Sequence, residues 1–488
     1  MHHSLPKELL SSLEGVKGFD RTAFEKVHED GSRVTSIRWN PAKMPVMQGG
    51  GGIIGGKVPW STMGYYLAER PSFTFDPLFH AGAYYVQEAS SMFLEQALRQ
   101  AVDLSRPLRV LDLCAAPGGK STLIQSLLSD NSLLVSNEVI KTRVNVLEEN
   151  MVKWGGANGV ITSNDPRDFS RMENYFDVIV VDAPCSGSGL FRRDAEAIGE
   201  WSAANVALCH QRQQRILADC WPALKQDGVL IYSTCSYSQA ENEDILDWMI
   251  DSLQAAGIVL QVEKDWNIIE TSGCKGGWGY RFYPDKLKGE GFFITCVRKQ
   301  DGGEFVYPGN RRQGGDRQRP DKKGYDKQGG NKQVSNRPGA DKQSADKLTK
   351  QDEEGVRSWI REDAPVFLFS HNDHVYCLPE HLKDDLSYLQ ANCYLKRAGI
   401  MTGKLAGKDF VPGHELAVSV LIRRDLPAIA LSRADAIQFL RKEDIRPEGE
   451  HRGWALVQYE GQNLGWIKAL GNRANNYYPK EWRILKRD

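Results

Sequence analysis

The sequence predicts an α/β protein built on a parallel, doubly wound sheet, preceded by an N-terminal extension and followed by a small β-rich module. Three observations carry that expectation. Short apolar runs alternate with helical patterns from about residue 108 to 235, and each run ends in Asp, Glu, Pro or Cys. Composition then breaks from about 302 to 355, where Gly, Gln, Asn, Asp and Lys displace apolar residues.

The runs are LRVLDLC (108 to 114), LLVSNE (133 to 138), GVITSND (159 to 165), FDVIVVDAP (176 to 184) and DGVLIYSTC (227 to 235). Alternation of such runs with amphipathic segments describes β-α-β-α connections, which make successive strands parallel. Ligands of an open α/β sheet sit outside the carboxyl ends of its strands, so the polar endings should assemble one site. EGFFITCVRK (290 to 299) follows without an obvious crossover helix and reads as an antiparallel edge strand. Near the N-terminus, QGGGGIIGGKVPW (48 to 60) reads as a glycine-rich loop, and the stretch from Arg70 to Ser91 is unusually aromatic. Toward the C-terminus, VFLF, HELAVSVLI, GWALVQYE and LGWIKAL read as strands.

A chain of 488 residues exceeds one core, and about 150 residues per domain gives roughly three. The expected segments are an N-terminal extension (1–95), the sheet domain (96–300), a disordered polar linker (301–355), an intermediate domain (356–425) and a final module (426–488). The formal net charge of -1 carries no global nucleic-acid signature, so any such surface is local. Between Asn310 and Lys350 twelve Lys or Arg face five Asp, a local +7 that suits either a solubilising spacer or a tether for RNA phosphates. The nine cysteines form no CxxC pair, which argues against a zinc ribbon or disulfide framework and for reduced thiols in the cytosol. The N-terminus lacks a signal-peptide core, and no apolar run nears the roughly 18 residues of a membrane span.

LDLCAAPGGKST (111 to 122) joins the first strand to a helix through small residues, letting backbone amides and a helix N-terminus approach a nucleotide-like ligand. The candidate cradle is Cys114, Ala115, Ala116, Pro117, Gly118, Gly119 and Lys120. A phosphate-binding P-loop is excluded, because that pattern needs glycine where Cys114 stands. Glu138, about twenty residues after the glycine turn, is spaced like a ribose-binding acid, and Asp165 ends the third strand where it can accept from an adenine amino group. Either acid alone also fits a solvated loop.

DAPCSGSG (182 to 189) and STCS (233 to 236) each set a cysteine just after a strand, at one rim of the crevice. Cys209, Cys220, Cys274 and Cys296 lie in helical or apolar patterns and read as small buried hydrophobes. Two rim thiols suit methylation at cytosine C5, a carbon that becomes nucleophilic only after a thiolate adds to C6. A free thiol with a pKa of about 8.5 needs activation at neutral pH. Ser238 and Glu241 form a capping-box pattern for a helix starting just beyond Cys235, whose positive end would favour a thiolate. Cys235 is therefore the expected nucleophile, and Asp182 is placed to hydrogen-bond N3 and the exocyclic amine of cytosine.

CAAPGGKS, DAPCSGSG and STCS, in this order and at these strand ends, resemble the NOL1/NOP2/Sun family of RNA cytosine-C5 methyltransferases. Residues 70 to 92 and EGFF (290 to 293) are also similar, so the resemblance spans about residues 60 to 300. GWIKALGNRANNYYPKEWR (465 to 483) is similar to the PUA-like module of the bacterial small-subunit rRNA members. The resemblance implies a Rossmann-like class I methyltransferase domain, an α/β N-terminal RNA-binding extension and a β-rich PUA-like RNA-binding module. It implies S-adenosyl-L-methionine as cofactor, held by Cys114 to Lys120, Glu138, Asp165 and Asp182, and no metal. It further implies that Cys235 attacks C6 while Cys185 helps release product. DNA methyltransferases use the Pro-Cys thiol instead, which would exchange these roles. Asp285 stands where the family is expected to have histidine, and no catalytic role is assigned to it. The implied partner is RNA, 16S rRNA or the small ribosomal subunit, with no DNA or membrane partner and a monomeric, cytoplasmic protein. Phe73, Phe75, Tyr84 and Tyr85 suit either base stacking or an interdomain seal, and Lys468, Arg473, Lys480 and Arg483 either phosphate contacts or ordinary surface charge. The competing reading is a non-catalytic RNA-binding assembly factor that retains the fold.

Overall fold

The computed structural model describes residues 4–43, 54–307, 348–407, 409–445, 451–471 and 473–486. A ten-stranded sheet forms its centre. Strands β1 (Arg109–Asp112), β2 (Leu133–Asn137), β3 (Gly159–Thr162), β4 (Phe176–Asp182) and β5 (Leu224–Thr234) are mutually parallel, each inside one of the apolar runs except that β5 begins three residues earlier. Strands β6 (Ala255–Ile258), β7 (Ile269–Ser272), β8 (Trp278–Phe282), β9 (Phe292–Lys299) and β10 (Leu395–Ala398) pair antiparallel with their neighbours. The order is β7-β8-β9-β5-β4-β1-β2-β3-β10, with β6 on β9. The chain steps from β1 outward to β2 and β3, then crosses back to β4 on the other side of β1. That reversal opens a crevice at the carboxyl ends of β1 and β4.

Both sheet faces are covered, as the near-continuous apolar strands require. Val110, Val178, Val180 and Ile231 enter one core cluster, whereas Leu111, Ile179, Val181 and Leu230 enter the other. The two sets alternate along each strand because successive side chains point to opposite faces. Helices α1 (Gly119–Leu127), α2 (Lys141–Trp154), α3 (Ala203–Cys220) and α4 (Glu243–Ser252) connect the strands.

Several sequence expectations require revision. β9 is antiparallel but not an edge, because β7 and β8 lie outside it. HELAVSVLI contains a helix, His414–Val418, whose His414, Leu416, Ala417 and Val418 are buried; a short run buried on several sides carries no period that separates helix from strand. Cys274 is exposed rather than buried. Finally, the linker interval is structured at both ends. Phe305 and Tyr307 stack against the Arg109 guanidinium at 5.3 and 5.5 Å, and a helix, Lys350–Arg357, starts with a capping box on Thr349 and Asp352. Residues 308–347 of that interval, and 48–53 of the glycine-rich loop, lie outside the described residues, and Ile54–Lys57 of that expected loop is a strand paired with Gly64–Leu67.

The N-terminal extension contributes a four-stranded sheet ordered Ile54–Lys57, Gly64–Leu67, Ser36–Trp39, Tyr84–Val86. Its aromatics pack inward: Phe73, Phe79 and Tyr84 join Trp39 in a small core, and the Tyr84 hydroxyl donates to Asp76 at 2.6 Å. Phe75 packs against the core of the last module. Of the four aromatics weighed for base stacking, Phe73 and Tyr84 thus pack inside the extension itself and Phe75 against the last module, rather than between extension and central sheet.

The region 366–412 forms its own four-stranded sheet and lends β10 to the central one. Its Asp385 accepts from Arg109 Nε at 2.6 Å and from the Tyr175 hydroxyl at 2.6 Å, anchoring it to the catalytic sheet. The final module orders its strands Ala428–Ala430, Arg452–Tyr459, Gln462–Leu470, Ala474–Asn476. Among its weighed cations, Lys468 lies over the Trp454 ring at 5.4 Å, while Arg473 and Lys480 are exposed.

Candidate active site

The small-residue turn after β1 is stabilised from two sides. Ala115 N–H donates to Asn137 O at 2.8 Å, and Arg143 donates to Ala116 O at 2.6 Å. Gly118 precedes α1 with φ +114°, a conformation that side chains rarely adopt, and so lets the turn fold directly into a helix N-terminus. Asn137, at the end of β2, ties the neighbouring β1 and β3 ends by donating to Leu113 O and Asn164 O at 3.1 and 3.0 Å.

Acids ring this turn. Glu138 is buried, its Oε1 accepting from Ile140 N–H at 2.9 Å, with Arg143 paired to Oε2 at 3.2 Å outside hydrogen-bond geometry. Asp165 caps the short helix Pro166–Arg171 through Arg167 N–H at 3.2 Å and is half-exposed. Asp112 at the end of β1 was not singled out from sequence. It is fully buried, takes the Ser121 hydroxyl on Oδ2 at 2.6 Å and leaves Oδ1 without a protein partner. Burial, chiefly, pushes its carboxyl up to about 7. The strand-end position of the acid, just before the glycine turn, was the available signal.

The two rim cysteines meet, with Cys185 Sγ and Cys235 Sγ 3.2 Å apart. The hydrogen bond to Cys235, then burial, hold the Cys185 thiol well above its usual range. Beside them, Lys120 Nζ pairs with Asp182 Oδ2 at 2.6 Å, and Ser233 Oγ donates to Asp182 Oδ1 at 2.8 Å. Burial alone would depress the Lys120 ammonium, but Asp182, Asp112 and Cys235 outweigh it and raise it, so the cation is firmly charged. Cys114 sits nearby, its thiol also raised well above the usual range by burial and the surrounding acids.

The helix start expected just beyond Cys235 is not there. Ser238 makes no side-chain cap, and α4 starts at Glu243 behind Asn242, eight residues past Cys235. Glu241 turns inward instead, toward Ser186 and Ser236, because buried hydroxyl and amide donors there need an acceptor. Lys120 is a positive group whose charge interacts with Cys235.

Tyr85 is half-buried against the turn: a Cβ on Gly119 would stand 3.3 Å from its ring, and burial first of all raises its hydroxyl to about 12. Asp285 is buried, pairs with Lys286 at 2.9 Å and lies away from both sulfurs' hydrogen bonds. Among the described residues no group of three or more His, Cys, Asp or Glu is arranged to hold a metal ion, and no helix is long and apolar enough to cross a membrane.

A doubly wound sheet with a glycine-turn crevice and strand-end acids defines a Rossmann-like methyltransferase. Residues 100–298 match the family model described as 16S rRNA methyltransferase RsmB/F, residues 5–89 the N-terminal domain of 16S rRNA methyltransferase RsmF, and residues 426–484 the methyltransferase RsmF PUA domain. Ribosomal RNA small subunit methyltransferase F of Aeromonas salmonicida is 30% identical over 437 residues, 87% of this chain and 84% of that protein. Its counterpart in Vibrio atlanticus is 29% identical over 432 residues, 87% and 85% of the two chains. The crystal structure of NSun6 from Pyrococcus horikoshii with SFG shares the fold, with a TM-score of 0.51 and 19% identity over 62% of this chain and all (100%) of that one. The chain belongs to the family of ribosomal RNA small subunit methyltransferase F.

Proposed function

We propose that this methyltransferase places a methyl group on C5 of a cytosine in small-subunit rRNA, with Cys235 as the nucleophile toward C6 and Cys185 assisting release. The observation that carries the reading is the pair of thiols 3.2 Å apart at the carboxyl ends of β4 and β5, beside the Lys120–Asp182 pair. The 16S rRNA relatives support the substrate class, and an rRNA substrate supports a cytosolic RNA-binding enzyme.

S-adenosylmethionine fits the crevice: Asp112 Oδ1 and Glu138 Oε2 are buried acceptors without hydrogen-bond donors, suited to a ligand's amino and hydroxyl groups. Cys114 to Lys120, Glu138, Asp165 and Asp182 would hold it, and when bound it supplies an electrophilic methyl on a sulfonium. Lys120 stabilises the Cys235 thiolate, which adds to C6 and moves electron density onto C5. Asp182 has one partner on each oxygen and a further lone pair on each with which to engage the cytosine edge. Once C5 carries the methyl, a base, solvent water in the crevice, takes the C5 proton, the C–H electrons re-form the C5–C6 double bond, the C6–S bond breaks and Cys235 leaves as a thiolate. Cys185, holding its proton, is placed to hydrogen-bond that departing sulfur.

The test gives purified protein radiolabelled S-adenosylmethionine and 16S rRNA or small subunits. Wild type should label cytosine C5, Cys235→Ala should lose labelling, and Cys185→Ala should accumulate an RNA adduct that survives denaturing gels. Full activity in Cys235→Ala would overturn the nucleophile assignment. Bisulfite sequencing of RNA from a deletion strain identifies the nucleotide.

A further inference from the structure

The β4–β5 ladder ends at the Asp182–Ser233 pair, and beyond it the two cysteine loops are joined by Gly189 N–H donating to Cys235 O at 2.8 Å and Tyr237 N–H donating to Ser188 Oγ at 2.9 Å. Beside the thiols themselves, one carboxylate adds a tie to the residue that follows each cysteine. Glu241 is fully buried, at 0% exposure. Its Oε1 accepts from Ser186 N–H at 2.7 Å and from Gln213 Nε2 at 3.3 Å. Its Oε2 accepts from the hydroxyls of Ser186 and Ser236, both at 2.5 Å. Ser186 follows Cys185 and Ser236 follows Cys235, so a single side chain grips the residue behind each thiol. Gln213 extends the grip by donating to Pro184 O at 3.0 Å, on the other side of Cys185. Glu241 is itself fixed, its carbonyl accepting from the buried Tyr232 hydroxyl at 2.7 Å.

We propose that Glu241 is a positioning residue that sets the gap between the Cys185 and Cys235 sulfurs by strapping their loops together; its consequence for methylation rests on the two-thiol reading above. Only a carboxylate suits the place, because four donors converge on two oxygens, while an amide offers one oxygen and turns an NH2 group toward donors. The sulfurs must trade roles within one cycle, one bonded to the base while the other hydrogen-bonds near it. Misplacement by about 1 Å costs such steps on the order of 100-fold.

The test uses full-length protein as wild type, Glu241→Gln, Ser186→Ala and Ser236→Ala. Diamide takes two hydrogens from the two thiols, becoming a hydrazine and leaving a Cys185–Cys235 disulfide that peptide mapping identifies. The pair should close quickly in wild type and on the order of 10-fold or more slowly in Glu241→Gln and Ser236→Ala, since proximity sets the rate. Turnover should fall while KM for RNA and the affinity for S-adenosylmethionine hold. Equal disulfide rates in wild type and in all folded variants would overturn the positioning role. Should Glu241→Gln fail to fold, the two serine variants, each lacking one arm, decide the matter. Slowed closure in variants of a protein that methylates no RNA would sink the proposed function and leave the strap standing.

Discussion

Lys120 is a positive group that the fold supplies to Cys235, and its charge is secured by Asp182 at 2.6 Å. Preorganised charge of this kind contributes more in a water-poor site than in solution. Lys120→Met should therefore lower single-turnover methyl transfer by about 100-fold, the scale of removing one such group, while thermal melting stays near wild type. Gly189 makes a second prediction at this scale. A Cβ there would stand 2.4 Å from Gly291 O and 2.8 Å from Cys235 O, backbone atoms that cannot swing aside. Gly189→Ala should push the Cys235 loop away, costing about 1–3 kcal/mol in urea unfolding and most of the methylation rate.

The elements behind the site are tied by a buried ion pair. Arg281 on β8 donates through Nε to Glu243 Oε1 at 2.6 Å and pairs through its NH2 group with Oε2, at the first residue of α4. It also donates to Tyr237 O at 2.8 Å, two residues beyond Cys235. Removing one partner strands the other charge away from water. Arg281→Met should cost about 3–5 kcal/mol in urea unfolding, far more than an exposed pair such as Arg21–Glu14. The strand segment that carries this arginine was absent from the sequence reading. GGWGYRF has glycines that punctuate it and too few alternating positions to betray a strand, so the sheet's outer edge became visible only through its pairing with β9.

Across the whole molecule, the last module docks at a junction that holds buried His80, His414 and Lys153. His414 rings lie edge-on to Tyr478 and Trp482 at 5.2 and 5.3 Å, and neither ring nitrogen has a partner. Burial, then the charges of Lys153, Lys43 and Lys442, lowers its pKa from 6.5 to about 3. His80 nearby is lowered to about 4, by burial, Lys153 and against the pull of Thr74 O. An unfolded chain binds protons at these histidines below pH 6.5 while the folded one does not, so their contribution to stability is complete above 6.5 and is lost as pH falls toward the folded values. Thermal melts from pH 7 to 4 should show this loss, and His414→Phe should reduce it by on the order of 3 kcal/mol. Equal acid sensitivity in the variant would refute the assignment.

The sequence by itself determined the five parallel strands, the glycine turn, the acids at strand ends and the two rim cysteines, because these depend on local periodicity and on the rule that crevices open at carboxyl ends. It misread what depends on partners distant in the chain. Part of HELAVSVLI became a helix because its neighbours bury several faces; the upstream end of the linker interval folds against Arg109 and Tyr388, and Val356 at its downstream end packs with Ile360, Val366 and Val375. Only the tertiary structure decided how the thiols are held. Glu241 carries a capping pattern in sequence, yet the donors of Ser186, 55 residues away, draw its carboxylate inward. A buried donor without an acceptor costs more than an uncapped helix end exposed to water, so the long-range bonds win over the local ones.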